Sequence, residues 1–355
     1  MRTGLYNRHG KLGAKIVDFS GWEMPLQYRG IVEEHLAVRE RVGIFDVSHM
    51  GRILVTGPEA ENLLDYLSTN AIKGKNDHSV TYTVWCLESG GTLDDLLVYK
   101  QSPTEYFVVV NAGNRQKDLN HLRKWGENFD VSIEDRFDDG ILAIQGPHAP
   151  SLMGEIFAEA KELPSMHAIP VSYQGEEIIL SRTGYTGEQG FEVYGNIDAI
   201  ADLWDRILMT GQPFGIVPAG LGARDTLRLE MGFALYGHEL TEEIAPIETV
   251  AAWTVKKNKG DFLGREALEH WTKARRQYGI MLQDRGIARQ GYDLYQEEKW
   301  VGKVVSGTMS PSLRRPIAII LVEEKFREGD NIEVQIRHHR CRANIVKLPF
   351  YRRSS

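Results

Sequence analysis

ILVTGPEAENLLDYL, residues 53–67, changes its period halfway through. The apolar run Ile53 to Val55 reads as a strand, and Gly57-Pro58 turns the chain. Ala60, Leu63, Leu64 and Leu67 then follow the i, i+3, i+4, i+7 spacing of one helix face. ILAIQGPHAPSLMGEIF, residues 141–157, repeats this plan. Proline is welcome in a first helical turn, where its missing N–H is not needed. A strand–Gly-Pro–helix unit used twice predicts α+β subdomains.

Working outward, YFVVVNA (106–112) reads as a buried strand, followed by a helix carrying Leu119, Leu122 and Trp125. Residues 177–182 form another strand. Residues 198–209 form a helix with Ile200, Leu203, Trp204, Ile207 and Leu208 on one face. The C-terminal part differs. Apolar runs near 278–282, 301–305, 317–322, 332–336 and 343–346 are separated by Gly, Pro and Asn. Ile332, Val334 and Ile336 alternate with polar neighbours, the period of a half-buried strand. A small all-β domain is predicted from about residue 272.

The 355 residues suffice for two or three domains with a sizeable core. Apolar residues make up 42% and charged residues 26%, which excludes a disordered chain or a coiled-coil rod. The net charge of −7 argues against a general nucleic-acid binder, whose affinity rests on Lys and Arg. Cys86 and Cys341 are the only cysteines, which fits a reducing compartment better than a disulfide scaffold. No stretch approaches a membrane span, and the N-terminus has no apolar signal region. A cytoplasmic protein is expected, without metal.

The sequence has no phosphate-binding loop, zincin or nucleophile-elbow motif. GLGARD (220–225) lacks the third glycine of a dinucleotide fingerprint, and Pro218 stands where a strand should end. His338, His339 and Cys341 are too close along a strand to share an ion, because neighbours face opposite ways.

Three segments point to chemistry. GGTLDDLLVY (90–99) sets Asp94-Asp95 at the head of an apolar strand. One acid can face a cleft while the other caps or meets solvent; a plain hairpin with two solvated acids is the alternative. SRTGYTGEQGFEVY (181–194) places Tyr185, Glu188 and Glu192 among glycines that let backbone approach a ligand. Its Tyr185 offers a flat face, and Glu192 offers a carboxylate for two parallel N–H donors; otherwise it is a glycine-rich loop. PAGLGARDTLRLEMG (218–232) leads a loop into a helix with Arg224 at its start and Asp225 as a plausible cap. Arg224 can present a planar fork to an acceptor pair, or form a surface pair with Asp225.

Together these strings resemble the T-protein, or aminomethyltransferase, family of the glycine cleavage system. The resemblance also draws on LGAKIVDFSGWEMPLQY (12–28), GIFDVSHMG (43–51), VVNAGNRQKD (109–118), QGP (145–147), LYGHEL (235–240), NKGDFLGREAL (258–268), SGTMSPSL (306–313) and PFYRR (349–353). It implies a three-domain cloverleaf-like ring. Two domains would be α+β with antiparallel, ferredoxin-like sheets, spanning 1–140 (discontinuous, with part of the middle region) and 141–271. The third, 272–355, would be an all-β, barrel-like domain.

The implied reaction moves the one-carbon unit of an aminomethyl group from the lipoyl arm of H-protein to tetrahydrofolate. The family's carboxylate near the reacting folate nitrogens falls on Asp95. Its pterin-binding Glu and Arg fall on Glu192 and Arg224, and its other folate contacts fall on Tyr82, Val110, Asn111 and Tyr185. The family's extra aromatic, about twenty positions before Tyr185, is absent: SMHAIP (165–170) leaves Met166 or His167 in its place.

Two further readings share the superfamily. One is a folate-dependent demethylase with another donor. The other is a folate-binding protein of iron–sulfur maintenance, marked by K-G-C-[YF]-x-G-Q-E; here NKGDFLGRE (258–266) has Asp261 and Arg265 instead of Cys and Gln. Near the C-terminus Arg337, Arg340, Arg342, Lys347, Arg352 and Arg353 form either a solvated edge or a surface for the acidic carrier or the folate tail.

Overall fold

Gly57 and Gly146 close the two strand-to-helix turns, and both need to be glycine. Their φ angles are +128° and +135°. A Cβ would lie 2.4 Å from the Asp130 carbonyl oxygen at Gly57, and 2.4 Å from that of Arg41 at Gly146. The flanking elements are the strand Gly51–Thr56 with the helix Ala60–Leu67, and the strand Gly140–Gln145 with the helix Ala149–Ile156. The computed structural model describes residues 1–273 and 275–353.

The chain forms two compact units. One comprises Met1–Thr83 and Asp95–Arg224; the other comprises Val84–Asp94 and the chain from Asp225 onward. The first unit holds a six-stranded sheet, ordered Ala168–Tyr173, Glu176–Ser181, Gly190–Gly195, Gly140–Gln145, Val42–Asp46 and Ile216–Pro218. It is antiparallel except where Ile216–Pro218 runs parallel to Val42–Asp46. The helix Ile197–Thr210 starts on Asn196, whose side chain accepts from the Asp198 N–H at 2.9 Å. It buries Ile200, Leu203, Trp204 and Ile207 against Ile144, Leu180, Phe191 and Val193 of the sheet.

A five-stranded sheet is ordered Val80–Cys86, Thr92–Ser102, Glu105–Val110, Gly51–Thr56 and Ser132–Asp135. The outer end of its first hairpin, Val84–Asp94, belongs to the second unit. There Val84 and Cys86 join a cluster with Ala234, Leu240, Ala245, Ala251, Phe262 and Leu268.

The predicted C-terminal β-domain is a closed six-stranded barrel, from Arg276–Leu282 to His339–Val346. One strand, Asp293–Gln296, has too short an apolar signal to show in the sequence. Ala318, Ile320 and Val322 line the barrel interior, while Ile317, Ile319 and Leu321 pack outside with Leu229, Ile244 and Val305. Both faces of this strand are buried, so its sequence is a continuous apolar run rather than an alternation. The molecule is thus mixed α+β with a C-terminal β-barrel.

Candidate functional site

The strand Thr92–Ser102 puts Asp94 and Asp95 on opposite faces. Asp94 is fully buried and Asp95 half-buried, so neither is a solvated turn acid. Antiparallel pairing of Leu97 with Val109 carries Asn111 opposite Asp95. The Asn111 amide donates to Asp95 Oδ1 at 3.2 Å and to its carbonyl at 3.0 Å. The Tyr82 hydroxyl donates to Asp95 Oδ2 at 3.0 Å. Neutral donors from both sides therefore aim this carboxylate. Val110 ends its strand fully buried and fixes the position of Asn111.

Four residues along the same strand face as Asp95, Tyr99 reaches across to the other sheet. Its hydroxyl lies 2.6 Å from that of Tyr194, and their rings meet edge to face. Tyr194 donates to Glu192 Oε2 at 2.8 Å, and Thr183 donates to the same oxygen at 2.5 Å. Ser181 backs Thr183 at 2.9 Å. Burial, then the Glu192 charge, pushes both tyrosine hydroxyls well above their ordinary pKa. This chain of hydroxyls holds the Oε2 oxygen of Glu192, itself 6% exposed.

Arg224 sits in the first turn of the helix Leu221–Glu230. Its guanidinium carbon is 4.7 Å from the centroid of the Tyr185 ring, and Nη2 is 3.9 Å from Met50 Sδ. Burial lowers its pKa, and the charge of Glu192 opposes that. The expectation that Asp225 caps this helix is wrong. Asp225 lies inside the helix, and its carboxylate takes the Arg228 guanidinium at 2.9 Å, so it is not paired with Arg224. Chain order misled here because the helix begins three residues before Arg224.

The loop carrying Tyr185 is pinned on both flanks. Arg39 donates to the Thr186 carbonyl at 2.7 Å and to Glu188 Oε1 at 3.0 Å. Gln145 donates to the Thr183 carbonyl at 3.1 Å and accepts from the Thr186 hydroxyl at 2.9 Å. Met166 adopts φ +57° and is 37% exposed. Its carbonyl accepts from Val80 N–H at 2.8 Å, two residues before Tyr82, and its own N–H donates to the Arg182 carbonyl. Met166 thus stands beside the Tyr82 strand.

Asp95, Tyr82, Val110 and Asn111 form one group, and Glu192, Arg224 and Tyr185 another. Both lie in the first unit and are linked through Tyr99 and Tyr194. Sequence reasoning missed Tyr99, Thr183, Tyr194, Met50 and Arg39 as parts of this arrangement. Thr183 and Tyr194 stood within the quoted 181–194 string, two residues from groups already singled out.

Of the C-terminal bases, Arg342 is bound to Asp284 at 2.9 Å. Arg340 bonds the Glu297 carbonyl at 2.7 Å and stacks on Tyr295 at 4.2 Å. Cys86 and Cys341 are both free and buried, and burial pushes the Cys86 thiol up to about 12. Among the described residues, no helix is long and apolar enough to cross a membrane.

Comparison with known proteins adds a family. Residues 5–259 match the GCVT N-terminal domain, and residues 275–352 match the glycine cleavage T-protein C-terminal barrel domain. An aminomethyltransferase of Thermosipho melanesiensis is 43% identical over 358 residues, covering 99% of this chain and 97% of that protein. One from Lysinibacillus sphaericus is 42% identical over 360 residues, covering 99% and 98%. The crystal structure of the glycine cleavage system aminomethyltransferase T from Bartonella henselae superposes with a TM-score of 0.93. It is 33% identical, and the match covers 99% of this chain and 98% of that one.

Proposed function

The chain belongs to the glycine cleavage T-protein family of aminomethyltransferases, and from that premise we propose the roles of its residues, its co-substrate and its partner. The donor is the aminomethyl group on a lipoyl sulfur of H-protein, and the acceptor is tetrahydrofolate. The donor's carbon–sulfur and carbon–nitrogen bonds break, two bonds from that carbon to folate nitrogens form, and the two protons lost from those nitrogens leave on ammonia and on the lipoyl thiol. The products are 5,10-methylenetetrahydrofolate, ammonia and the reduced lipoyl arm.

One observation carries this reading: a carboxylate–guanidinium pair of stations and a separate, aimed carboxylate share one unit, joined by the Tyr99–Tyr194 contact. The residues fit folate. Glu192 offers a carboxylate to the amino and ring N–H donors of a pterin, and Arg224 offers a donor fork to its carbonyl and ring acceptor. Tyr185 and Tyr82 supply flat neighbours for the aminobenzoyl ring, with Met166 as a soft, polarizable third. Val110 and Asn111 complete the wall.

Tetrahydrofolate, when bound, supplies the nucleophilic nitrogens. Asp95 is the catalytic residue in this reading. Its carboxylate, aimed by Tyr82 and Asn111, stabilises positive charge developing on the transferred carbon and orients the attacking nitrogen. No metal takes part in this assignment. A cytoplasmic location is supported by the two free, buried thiols.

The test uses purified protein, tetrahydrofolate and a lipoylated carrier bearing the aminomethyl group. Methylenetetrahydrofolate and ammonia are expected in equal amounts, and Asp95→Asn should suppress both. Folate binding without either product would favour the demethylase or a non-catalytic folate-binding protein instead.

A further inference from the structure

The turn between the strands Val42–Asp46 and Gly51–Thr56 is over-determined. Val47 N–H donates to the Ile141 carbonyl at 3.1 Å, and Met50 N–H donates to that of Val47 at 3.1 Å. Ser48 N–H donates to Asp46 Oδ1 at 2.9 Å, and the Ser48 hydroxyl accepts from Ile141 N–H at 2.9 Å. Asp46 is itself held by Thr3 at 2.6 Å and by His9 at 2.9 Å. From below, Arg52 donates to the Ser48 and Met50 carbonyls at 3.3 and 3.1 Å.

Within this frame His49 stands apart. Its side chain is 3% exposed, yet Nδ1 has no hydrogen-bond partner among the described residues. Its ring meets that of Phe19 edge to face, with centroids 5.5 Å apart. Folded proteins rarely bury a polar nitrogen unpaired, because the lost hydration is not recovered. A frame this rigid does not let His49 move to find a partner within the chain.

The next residue, Met50, lies against the Arg224 guanidinium. Burial, followed by the charge of Arg224, pushes the His49 imidazole down to about 3. Arg115 and Arg52 add to that effect, and Asp46 opposes it. A neutral imidazole carries one donor and one acceptor. A pterin has further ring N–H donors and acceptors beyond those that Arg224 would read, and an imidazole nitrogen can meet either kind according to its tautomer.

We propose that His49 is a further ligand-contacting residue, hydrogen-bonding the pterin end of tetrahydrofolate beside Arg224. The inference rests on the assignment of Glu192 and Arg224 to the pterin. It adds one neutral contact to their charged pair, made by an imidazole nitrogen as donor or acceptor according to its tautomer. A packing role alone would need only the ring edge against Phe19.

Two variants separate these roles. His49→Phe keeps a flat ring beside Phe19 and removes both polar atoms; His49→Gln keeps a donor and an acceptor. Dissociation constants would be measured by calorimetry under nitrogen for tetrahydrofolate and for tetrahydropterin, which lacks the aminobenzoyl tail. His49→Phe should weaken both ligands by a similar factor, about tenfold, with Tm within a few degrees of the native protein. His49→Gln should recover part of the loss.

If His49→Phe folds and binds both ligands as the native chain does, the proposal falls. If His49→Phe does not fold, the Gln variant decides: loss of affinity beyond about thirtyfold, with unchanged Tm, would also sink the idea, because an amide should partly substitute. Native protein that binds no tetrahydrofolate would instead overturn the underlying site assignment. Native protein that binds it but turns over no aminomethyl carrier would leave the contact standing and remove the reaction.

Discussion

The hydroxyls of Tyr99 and Tyr194 meet at 2.6 Å, joining the strand of Asp95 to the strand of Glu192. Both side chains are buried, and Tyr194 donates its own hydrogen bond to Glu192. The two carboxylates thus belong to one bonded assembly. Tyr194→Phe should raise KM for tetrahydrofolate about three- to tenfold, because Glu192 keeps only Thr183 of these two donors. A double-mutant cycle with Tyr99→Phe should show coupling of about 1 kcal/mol. Strict additivity would mean that the contact does not position Glu192.

Asp95→Asn keeps the shape of the side chain and removes its charge. It should lower kcat by about a hundredfold or more and leave Tm nearly unchanged. Asp94→Ala should do the reverse, costing about 1–3 kcal/mol of stability, because Asp94 is buried on the opposite face. Thermal denaturation and steady-state rates on the same preparations check both.

Alkaline stability follows from the same tyrosines. Burial raises the folded pKa of Tyr99 and Tyr194 above the usual value near 10. Below pH 10 both are neutral in the folded and unfolded chain, so their stabilising contribution is complete. Above it the unfolded chain releases protons that the folded chain keeps, and stability falls as pH rises. Each such group contributes a slope of about 1.4 kcal/mol per pH unit. Tyr99→Phe should flatten denaturation free energy against pH between about 10 and 11, whereas an unchanged slope would contradict the assignment.

Arg39 and Glu188 are 149 residues apart in sequence and 3.0 Å apart in the fold, with both side chains almost fully buried. Arg39→Met should cost about 3–5 kcal/mol, since it leaves a buried carboxylate behind. Where the variant still folds, its affinity for folate should drop as well, because Arg39 also holds the Thr186 carbonyl next to Tyr185. Chemical denaturation and folate titration measure the two effects separately.

Cys86 should resist a thiol reagent at pH 8 in the native protein and react on unfolding. It is wholly buried, and its thiol is held far from the reactive thiolate. Prompt labelling of Cys86 in the native state would mean that the outer end of its hairpin opens readily.

Much of the fold was legible. The two Gly-Pro turns, the amphipathic helix of 197–210 and five of the six barrel strands follow from apolar spacing that tertiary packing reinforces. What stayed hidden has physical reasons. Asp293–Gln296 contributes one buried apolar residue, Leu294, so it carries no periodic signal. The helix start at Leu221 has no polar cap in its sequence, which drew attention to Asp225 instead. The motif strings marked Asp95, Glu192 and Arg224. They could not show that Asn111 lies opposite Asp95, since register emerges only when strands pair. His49 was invisible for a similar reason: a histidine without a partner cannot be told from a bonded one until its neighbours are in place.

Arg52 holds its turn in an unusual way. Fully buried, it donates to four backbone carbonyls, those of Ser48, Met50, Arg136 and Phe137. A planar five-donor fork can serve all four carbonyls at once, whereas an ammonium has three donors on one atom and cannot reach them together. In a mutational scan, lysine should therefore score almost as badly as alanine at position 52, while at the exposed Arg342 it should pass unnoticed. Position 52 is conservative in charge only on paper, because what the fold selects there is the shape of the cation.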